Sequence, residues 1–266
     1  MTVPLLLQAR QEGILDRVGR VERAVDLAHM QDDLLDALDA LEHRIEASEA
    51  STTPPATPPP ATPPPALSPD ATENEATIHA ELAALGPAFP SGFRLERVPG
   101  DYYDRDLEFR RRCLSAWSTS HLCKSMVMEN TKDDRTFPGG LPEGGDDDWA
   151  SSKYVMVIVQ YVSKLQAEKI RDFVYEARGG KTPRKKIKFR LAPEEVSDAI
   201  TGFSHNAVTP IATRTRIPVL LSHRIAALEP DFFWLGAGEV DLKVGFSARE
   251  FAGAYGALTL DCTYDD

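Results

Sequence analysis

A proline-rich segment, residues 51–70, divides this 266-residue chain and constrains its fold more than any other feature. Nine of its 20 residues are proline, which lacks the amide hydrogen that helices and central strands require. The segment is therefore predicted to be a polyproline spacer that extends by about 3.1 Å per residue. A role as a ligand of proline-binding domains stays open, since composition supports only a spacer. We expect residues 51–72 to be a disordered linker between two parts.

The first part, residues 1–50, is predicted to be one long amphipathic helix of the coiled-coil type. Apolar residues recur in alternating steps of three and four, which is the heptad pattern: Val18, Val21, Val25, Ala28, then Leu34, Leu38, Leu41 and Ile45. Asp32 and Asp39 fall on the first seam, which indicates a stammer or a change of partner midway. Because the spacer separates this helix from the rest, residues 11–48 are expected to bind a protein partner, with self-association as the competing explanation.

Most of the net negative charge belongs to this N-terminal part. Of the formal charge of −11, residues 1–50 carry −6, residue Asp70 carries −1 and residues 71–266 carry −4. The acidity therefore does not argue against an anionic ligand on the main domain.

Cysteines, histidines and apolar runs exclude several classes of protein. The three cysteines have no paired spacing, so neither a disulfide framework nor a zinc motif is expected. The widely spaced His121, His205 and His223 predict no metal site, and no cofactor motif occurs. The early apolar run, residues 3–7, is too short for a signal peptide or a membrane span. We expect a cytoplasmic protein without a membrane partner.

Residues 73–266 are predicted to form a globular domain of the α/β (α+β) class. Helices are expected over residues 78–85, 106–117 and 164–177, after Pro193, and after Ser247 with Glu250 at the capping-box position. Strands are expected over residues 125–130, 154–161, 217–221, 232–235 and 240–244, the second of them buried on both faces. Residues 131–152 are predicted to be a long surface loop. Mixed strands and helices with irregular connections indicate the α+β type.

The loop Gly202–Pro210 is the most informative short stretch of this domain. It begins with a glycine that can adopt positive φ and ends with a proline of fixed φ. His205 and Asn206 between them can bind a ligand, and loops held between regular elements commonly carry binding residues.

Two further features are candidates for ligand contact. Lys124 opens an apolar strand and can contact a carbonyl or phosphate group, although an ordinary edge lysine is the simpler interpretation of the local sequence. The run Gly236, Ala237 and Gly238 between two strands permits close approach of a ligand, or is only a tight turn. Cys123 lacks an identifiable activating base, and no nucleophile elbow occurs, so covalent catalysis is not expected.

A basic segment, residues 178–190, carries seven positive charges in 13 residues. Such a cluster can neutralise several phosphates of a nucleic acid, or can be a solvated loop and strand. Because the rest of the domain is net acidic, nucleic-acid contact is the favoured interpretation. The residues predicted to bind it are Lys181, Arg184, Lys185, Lys186 and Lys188.

Taken in order, these pieces resemble the YbaK/prolyl-tRNA-synthetase-associated family of aminoacyl-tRNA deacylases. The resemblance covers about residues 80–258 and is carried by an ordered set of short matches: Cys123-Lys124-Ser125, Thr201-Gly202-Phe203, Val208-Thr209-Pro210, Ile217-Pro218-Val219 and Phe233 to Glu239 before Asp241-Leu242. The His-Asn-Ala-Val sequence of the loop is similar to the eukaryotic branch. Bacterial members carry Gly-Gly there, so Asn206 departs from them at the ester-facing position.

The resemblance implies a mixed, partly barrel-like β-sheet with flanking helices and a pocket for the aminoacyl group and terminal adenosine of tRNA. It assigns catalytic roles to Lys124, Asn206, Ala207 and His205, the last of which can equally fix the loop. It assigns substrate contacts to Gly202, Thr209, Pro210, Gly236, Ala237 and Gly238.

The function implied is trans-editing, the hydrolysis of mischarged tRNA, with alanine or serine as the expected amino acid because a small pocket excludes larger ones. The N-terminal helix would then tether the enzyme to a partner such as a synthetase complex. The alternatives are a non-catalytic tRNA-binding or scaffold subunit of a multi-synthetase complex, and a small-molecule hydrolase that uses the same pocket.

Overall fold

Two β-sheets and six α-helices make up the described part of the chain, which a computed structural model gives for residues 65–134 and 146–265. The predicted N-terminal helix, most of the proline-rich segment and the middle of the predicted 131–152 loop lie outside the described residues. Within the described ranges, no helix is long and apolar enough to span a membrane.

The strands and helices alternate irregularly along the chain. The strands are β1 Arg94–Arg97, β2 Cys123–Asn130, β3 Tyr154–Gln160, β4 Phe189–Leu191, β5 Val219–Ser222, β6 Phe233–Gly236, β7 Leu242–Phe246 and β8 Leu258–Leu260. The helices are α1 Glu73–Ala84, α2 Leu107–Cys113, α3 Ala167–Ala177, α4 Glu194–Thr201, α5 His223–Ala226 and α6 Ala248–Tyr255.

The larger sheet is mixed and has the order β4-β2-β3-β5-β8, with β2 antiparallel to both neighbours and β3, β5 and β8 parallel. The smaller sheet is antiparallel, with the order β1-β7-β6. An isolated bridge between Leu122 and Trp234 links the two sheets, and neither closes into a barrel. The predicted α+β class is confirmed.

Strand β3 is the centre of the fold, and all seven of its residues are buried. Val155, Val157 and Val159 pack with Ile170 and Val174 of α3. The opposite face packs with α4 and with the core between the sheets. The sequence-based expectation of a strand buried on both faces is confirmed, because helices cover both sides of this sheet.

Helix α2 is shorter than the 106–117 range predicted for it. Asp106 caps its start by accepting a hydrogen bond from the Phe109 amide at 2.7 Å. The helix ends at Cys113 because Ser115 adopts a φ of 48°. The Arg111 guanidinium then donates to the carbonyl oxygen of Ala116 at 2.9 Å, which holds the turn.

Helix α6 begins as predicted, with the Ser247 hydroxyl accepting from the Glu250 amide at 3.2 Å. The Glu250 carboxylate accepts a hydrogen bond from the Ser91 hydroxyl at 2.6 Å, which links the helix to the segment before β1. Asp231 adds a second cap, since its carboxylate accepts from the Ser247 hydroxyl at 2.7 Å and from the Ala248 amide at 2.9 Å. Three segments distant in sequence are thereby joined at one helix end.

Lys243 on β7 is buried, with only 3% of its surface exposed. Its ammonium group donates to the carbonyl oxygens of Val240 at 2.7 Å and Leu242 at 3.3 Å. It also lies 4.9 Å from the ring centroid of Tyr103 and 5.2 Å from that of Tyr102. Burial lowers the pKa of Lys243 to about 8, because the charged form loses water that these contacts replace only in part.

Replacing Lys243 with methionine is expected to stabilise the protein at pH 7. A fall in pKa from 10.5 to about 8 corresponds to roughly 3 kcal/mol of unfavourable burial, since one pKa unit is about 1.4 kcal/mol. Below pH 8 both folded and unfolded wild type carry the charge, and the cost is present in full. Between pH 8 and 10.5 the unfolded chain binds more protons, so the wild type gains stability as pH rises.

Urea unfolding of the wild type and Lys243→Met at pH 7 and pH 10 measures this difference. The advantage of the variant should be largest at pH 7 and smaller at pH 10. Lys164→Met, at an exposed lysine, is the control and should show no such trend. A variant less stable than wild type at pH 7 would mean that the carbonyl and tyrosine contacts outweigh the cost of burial.

Candidate active site

A cavity of about 520 Å³ lies between β2, α4 and the loop Gly202–Pro210. Its volume is within the range usual for ligand sites. Residues from six separate parts of the chain line it, among them Tyr103, Lys124, Ser125, Tyr161, Asp198, His205, Asn206 and Gly236. A hollow of similar volume, about 530 Å³, lies against the start of α6 and contains none of the predicted site residues.

The cavity opens at the free edge of β2. Strand β4 pairs with β2 from Met128 to Asn130, and the Ala192 amide just after it donates to the Val127 oxygen at 2.9 Å. The edge from Cys123 to Met126 is therefore in no strand pair on this side among the described residues. Successive side chains of a strand point to opposite faces, which places Lys124 on one side of this edge and Ser125 on the other. Both residues nevertheless line the cavity.

The Lys124 ammonium group lies 5.6 Å from the ring centroid of Tyr161. The two residues are diagonal neighbours in the β2–β3 register, in which Lys124 pairs with Val159. No carboxylate of the described residues lies within the 4.0 Å ion-pair distance of Lys124. A half-buried ammonium group stacked on an aromatic ring and lacking such a partner is available to an anionic or carbonyl group of a ligand.

Two residues of the loop adopt left-handed backbone conformations. Gly202 ends α4 with a φ of 83°, as its position in the sequence suggested, and Asn206 has a φ of 64°. Asparagine and glycine are the residues that adopt this conformation at least cost. The backbone shape therefore explains how Asn206 can stand where the bacterial branch of the resembled family has glycine.

Three hydrogen bonds fix the loop beside the cavity. The Ala207 amide donates to the Ser204 oxygen at 3.0 Å, and the Ala207 oxygen accepts from the Gly238 amide at 3.1 Å. The Tyr103 hydroxyl donates to the Asn206 oxygen at 3.0 Å. The buried Ala207 thus uses both backbone groups internally and offers neither to a ligand. The amides of Asn206 and Val208 donate to no oxygen of the described residues.

The glycine turn packs against this loop. A Cβ atom on Gly236 would lie 3.3 Å from the Val208 oxygen, and one on Gly238 would lie 2.9 Å from the Phe203 ring. Gly238 also has a φ of 80°. Side chains at both positions would push the loop away, so the two glycines permit the close contact.

Of the predicted substrate-binding residues, only Gly236 lines the cavity. Gly202, Thr209, Pro210, Ala237 and Gly238 lie behind its wall, where Thr209 and Ala237 are fully buried. These positions shape the loop and the turn. Among the predicted catalytic residues, Lys124, Asn206 and the exposed His205 line the cavity, whereas Ala207 does not.

Tyrosines and cations form a cluster that sequence reasoning missed. The Arg110 guanidinium carbon lies 5.1 Å from the Tyr103 ring centroid and 5.5 Å from that of Tyr161. The ammonium group of Lys243, on β7, lies 4.9 Å from the Tyr103 ring centroid. Burial raises the pKa of Tyr103 and of Tyr161, so both hydroxyls remain hydrogen-bond donors. No local motif marks these residues, because only the tertiary fold brings them together.

The basic segment leads directly into the cavity wall. Lys181, Arg184, Lys185, Lys186 and Lys188 are all exposed, while Ile187 and Phe189 between them are buried and anchor the chain. Arg184 also stacks on Tyr175 at 4.6 Å. Strand β4 then continues to Leu191, which lines the cavity, about 10 Å along the strand from Lys188.

Cys123 also lines the cavity, but its side chain is buried and burial raises the pKa of its thiol well above the usual value. Nucleophilic attack requires the thiolate, which this environment disfavours. Within the described residues, no group of three or more histidine, cysteine or acidic side chains could hold a metal ion. Among the groups described above, those available to a ligand are therefore the Lys124 ammonium and two loop amides.

Similarity to known proteins is confined to the fold. No protein-family model matches the chain, and no curated protein matches it. A candidate trans-editing enzyme for prolyl tRNA synthetase has a similar crystal structure, with a TM-score of 0.53 and 18% sequence identity over 75% of this chain and 100% of the other. A protein from work on grafting linear epitopes onto scaffolds has a TM-score of 0.52 and 14% identity over 74% and 100%.

Proposed function

We propose that this chain is an aminoacyl-tRNA deacylase, a hydrolase that releases a small amino acid such as alanine or serine from mischarged tRNA. The observation that carries the proposal is the pairing of Lys124 with the Asn206 loop across one cavity. The ammonium group has no ion-pair partner among the described residues, and the loop has amides that donate to no described oxygen. An ester carbonyl needs both kinds of group during hydrolysis.

In this mechanism Lys124 holds the substrate by its carbonyl oxygen or terminal phosphate. The amides of Asn206 and Val208, two residues that line the cavity, stabilise the negative charge that develops on the carbonyl oxygen. A water molecule attacks the carbonyl carbon, the bond to the ribose oxygen breaks, and a proton passes to that oxygen. His205, exposed at the cavity, is the side chain placed to move the proton. A free ribose hydroxyl assists, as the family resemblance suggests.

Transfer RNA is the proposed carrier of the ester because the basic segment joins the cavity wall through β4. Phosphates bound along this segment would place the acceptor end near Lys124. Since a protein of similar fold is described as a candidate trans-editing enzyme for prolyl tRNA synthetase, proline tRNA charged with alanine is the first substrate to try. Binding of a synthetase partner by residues 11–48 is part of the same proposal.

Replacing Lys124 with alanine is expected to lower kcat/KM for deacylation by about 100-fold or more, the effect of removing a charged group that acts on the reacting ester. The measurement is release of amino acid from tRNA charged with alanine, serine or cysteine. Lys132→Ala, at the exposed lysine just beyond the same strand, is the matched control and should retain full activity.

If the wild type released none of these amino acids, yet bound the tRNA, a non-catalytic tRNA-binding subunit would be the better description. An active Lys124→Ala variant would leave the hydrolase assignment standing but remove Lys124 from its centre.

Reversing charge in the basic segment is expected to weaken tRNA binding and its dependence on salt. For Lys185→Glu/Lys186→Glu, the slope of log affinity against log salt should become shallower by about 1 to 2, because each lost phosphate contact contributes roughly 0.7 to 0.9. Lys164→Glu/Arg249→Glu changes two exposed cations elsewhere and serves as the charge-matched control. If the two variants weakened tRNA binding equally, or if neither weakened it, a small-molecule hydrolase would be favoured.

A further inference from the structure

Two residues that line the cavity each have a buried side-chain oxygen with no hydrogen-bond partner in the described part of the chain. These oxygens are the Ser125 hydroxyl oxygen and Oδ1 of Asp198. Buried polar atoms are almost always hydrogen-bonded, and those that are not commonly await a ligand, an ion or water. The residue Asp198 is itself only half-buried, so the carboxylate keeps contact with water while Oδ1 is without a partner.

The two side chains approach the cavity from different walls. Ser125 lies on the free edge of β2, and Asp198 lies on α4. The backbone at Asp198 is fixed by its carbonyl oxygen, which accepts the amide of Gly202 at 2.8 Å and closes the helix. The helix also buries Ile200 and Thr201 against the sheet. Asp198 is therefore held in place by its backbone and neighbours, and its carboxylate is left for another partner.

The cavity also keeps opposite charges apart. Lys124 and Asp198 both line it, yet no carboxylate of the described residues lies within 4.0 Å of the Lys124 ammonium. A ligand that satisfies both must carry a cationic group at one end and an anionic or carbonyl oxygen at the other. An amino acid esterified through its carboxyl group has this arrangement, with a free α-ammonium group and an ester carbonyl.

We propose that Asp198 binds the α-ammonium group of the aminoacyl ester, with the Ser125 hydroxyl as a second acceptor. This inference rests on the proposed deacylase function and adds a substrate class to it: the site accepts esters with a free α-amine and rejects N-acylated ones. An N-acyl group removes the charge and two of the three N–H donors, which leaves the Asp198 carboxylate without a counter-charge. A site built around a buried polar group discriminates strongly against a ligand that lacks the matching group.

Glu194 on the same helix is a less suitable partner. It lines the cavity too, but its side chain is exposed at the first turn of α4, where water and the helix dipole already stabilise a carboxylate. Asp198 differs because one of its oxygens is shut off from water. The two carboxylates therefore differ in exposure, and we assign the ammonium group to the half-buried Asp198, which has the unpartnered oxygen.

The test compares two esters on the full chain, Ala-tRNA and N-acetyl-Ala-tRNA, with wild type, Asp198→Asn and Glu195→Gln. Each rate is divided by the spontaneous hydrolysis rate of the same ester, because N-acetylation itself makes the ester less reactive. Glu195 lies on the same helix, is exposed, and is absent from the cavity lining. Its variant removes the same charge and is the matched control.

The wild type and Glu195→Gln should both prefer Ala-tRNA by about 10- to 100-fold, the effect of one charge-assisted hydrogen bond. Asp198→Asn should lose about the same factor on Ala-tRNA and little on N-acetyl-Ala-tRNA, so the preference disappears. Its Tm should not fall, because the carboxylate oxygen that it replaces has no partner in the folded protein.

The results separate a failure of the inference about Asp198 from a failure of the deacylase function. A wild type that hydrolyses both esters equally overturns recognition of the α-ammonium group while the deacylase function stands. If Asp198→Asn lowers the hydrolysis rates of both esters equally and also lowers the Tm, Asp198 has a structural role and the inference is overturned. A wild type that hydrolyses neither ester removes the deacylase function and the inference with it.

Discussion

The contact between the loop Gly202–Pro210 and the turn at Gly236–Gly238 is the constraint on which the rest of the site depends. The hydrogen bond from the Gly238 amide to the Ala207 oxygen joins two segments about thirty residues apart. A Cβ atom would crowd the Val208 oxygen at Gly236 and the Phe203 ring at Gly238, so glycine suits both positions of this contact. Asn206, next to this contact, has a left-handed conformation and lines the same cavity as Lys124, and the Tyr103 hydroxyl donates to its oxygen from a third segment.

Near this wall, three cations have no ion-pair partner among the described residues, although only Lys124 of the three lines the cavity. Arg110, Lys124 and Lys243 lie against tyrosine rings. Ring faces attract a cation without neutralising it, which preserves a positive potential for a ligand. Surface charges elsewhere are instead neutralised locally, as at Arg97, which contacts the carboxylates of Glu75, Glu239 and Asp241. The two regions therefore differ in how their cations are compensated, by carboxylates at Arg97 and by ring faces near the cavity.

Sequence reasoning identified the parts of the site that have local signatures. Lys124 stands out at the start of an apolar strand, and Gly202 stands out as a helix end, where the structure gives it a φ of 83°. Tyr103 and Asp198 have no such signature, because what distinguishes them is a hydrogen bond to a remote loop and the lack of any partner. The same limit applies to helix α2, whose early end depends on the positive φ of Ser115. Helix propensity alone does not reveal that turn.

The pairing of β2 with β3 has a consequence for how the sequence of this protein can vary. Seven paired positions fix the register of β2 against β3, from Cys123 with Gln160 to Glu129 with Tyr154. Because neighbouring side chains of a strand lie on opposite faces, a shift by one residue would exchange the places of Lys124 and Ser125. Insertions and deletions are therefore tolerable in the connections before and after this strand but not within it. In any homologous chain, the length of this strand should be kept, whereas the identity of its apolar residues can change.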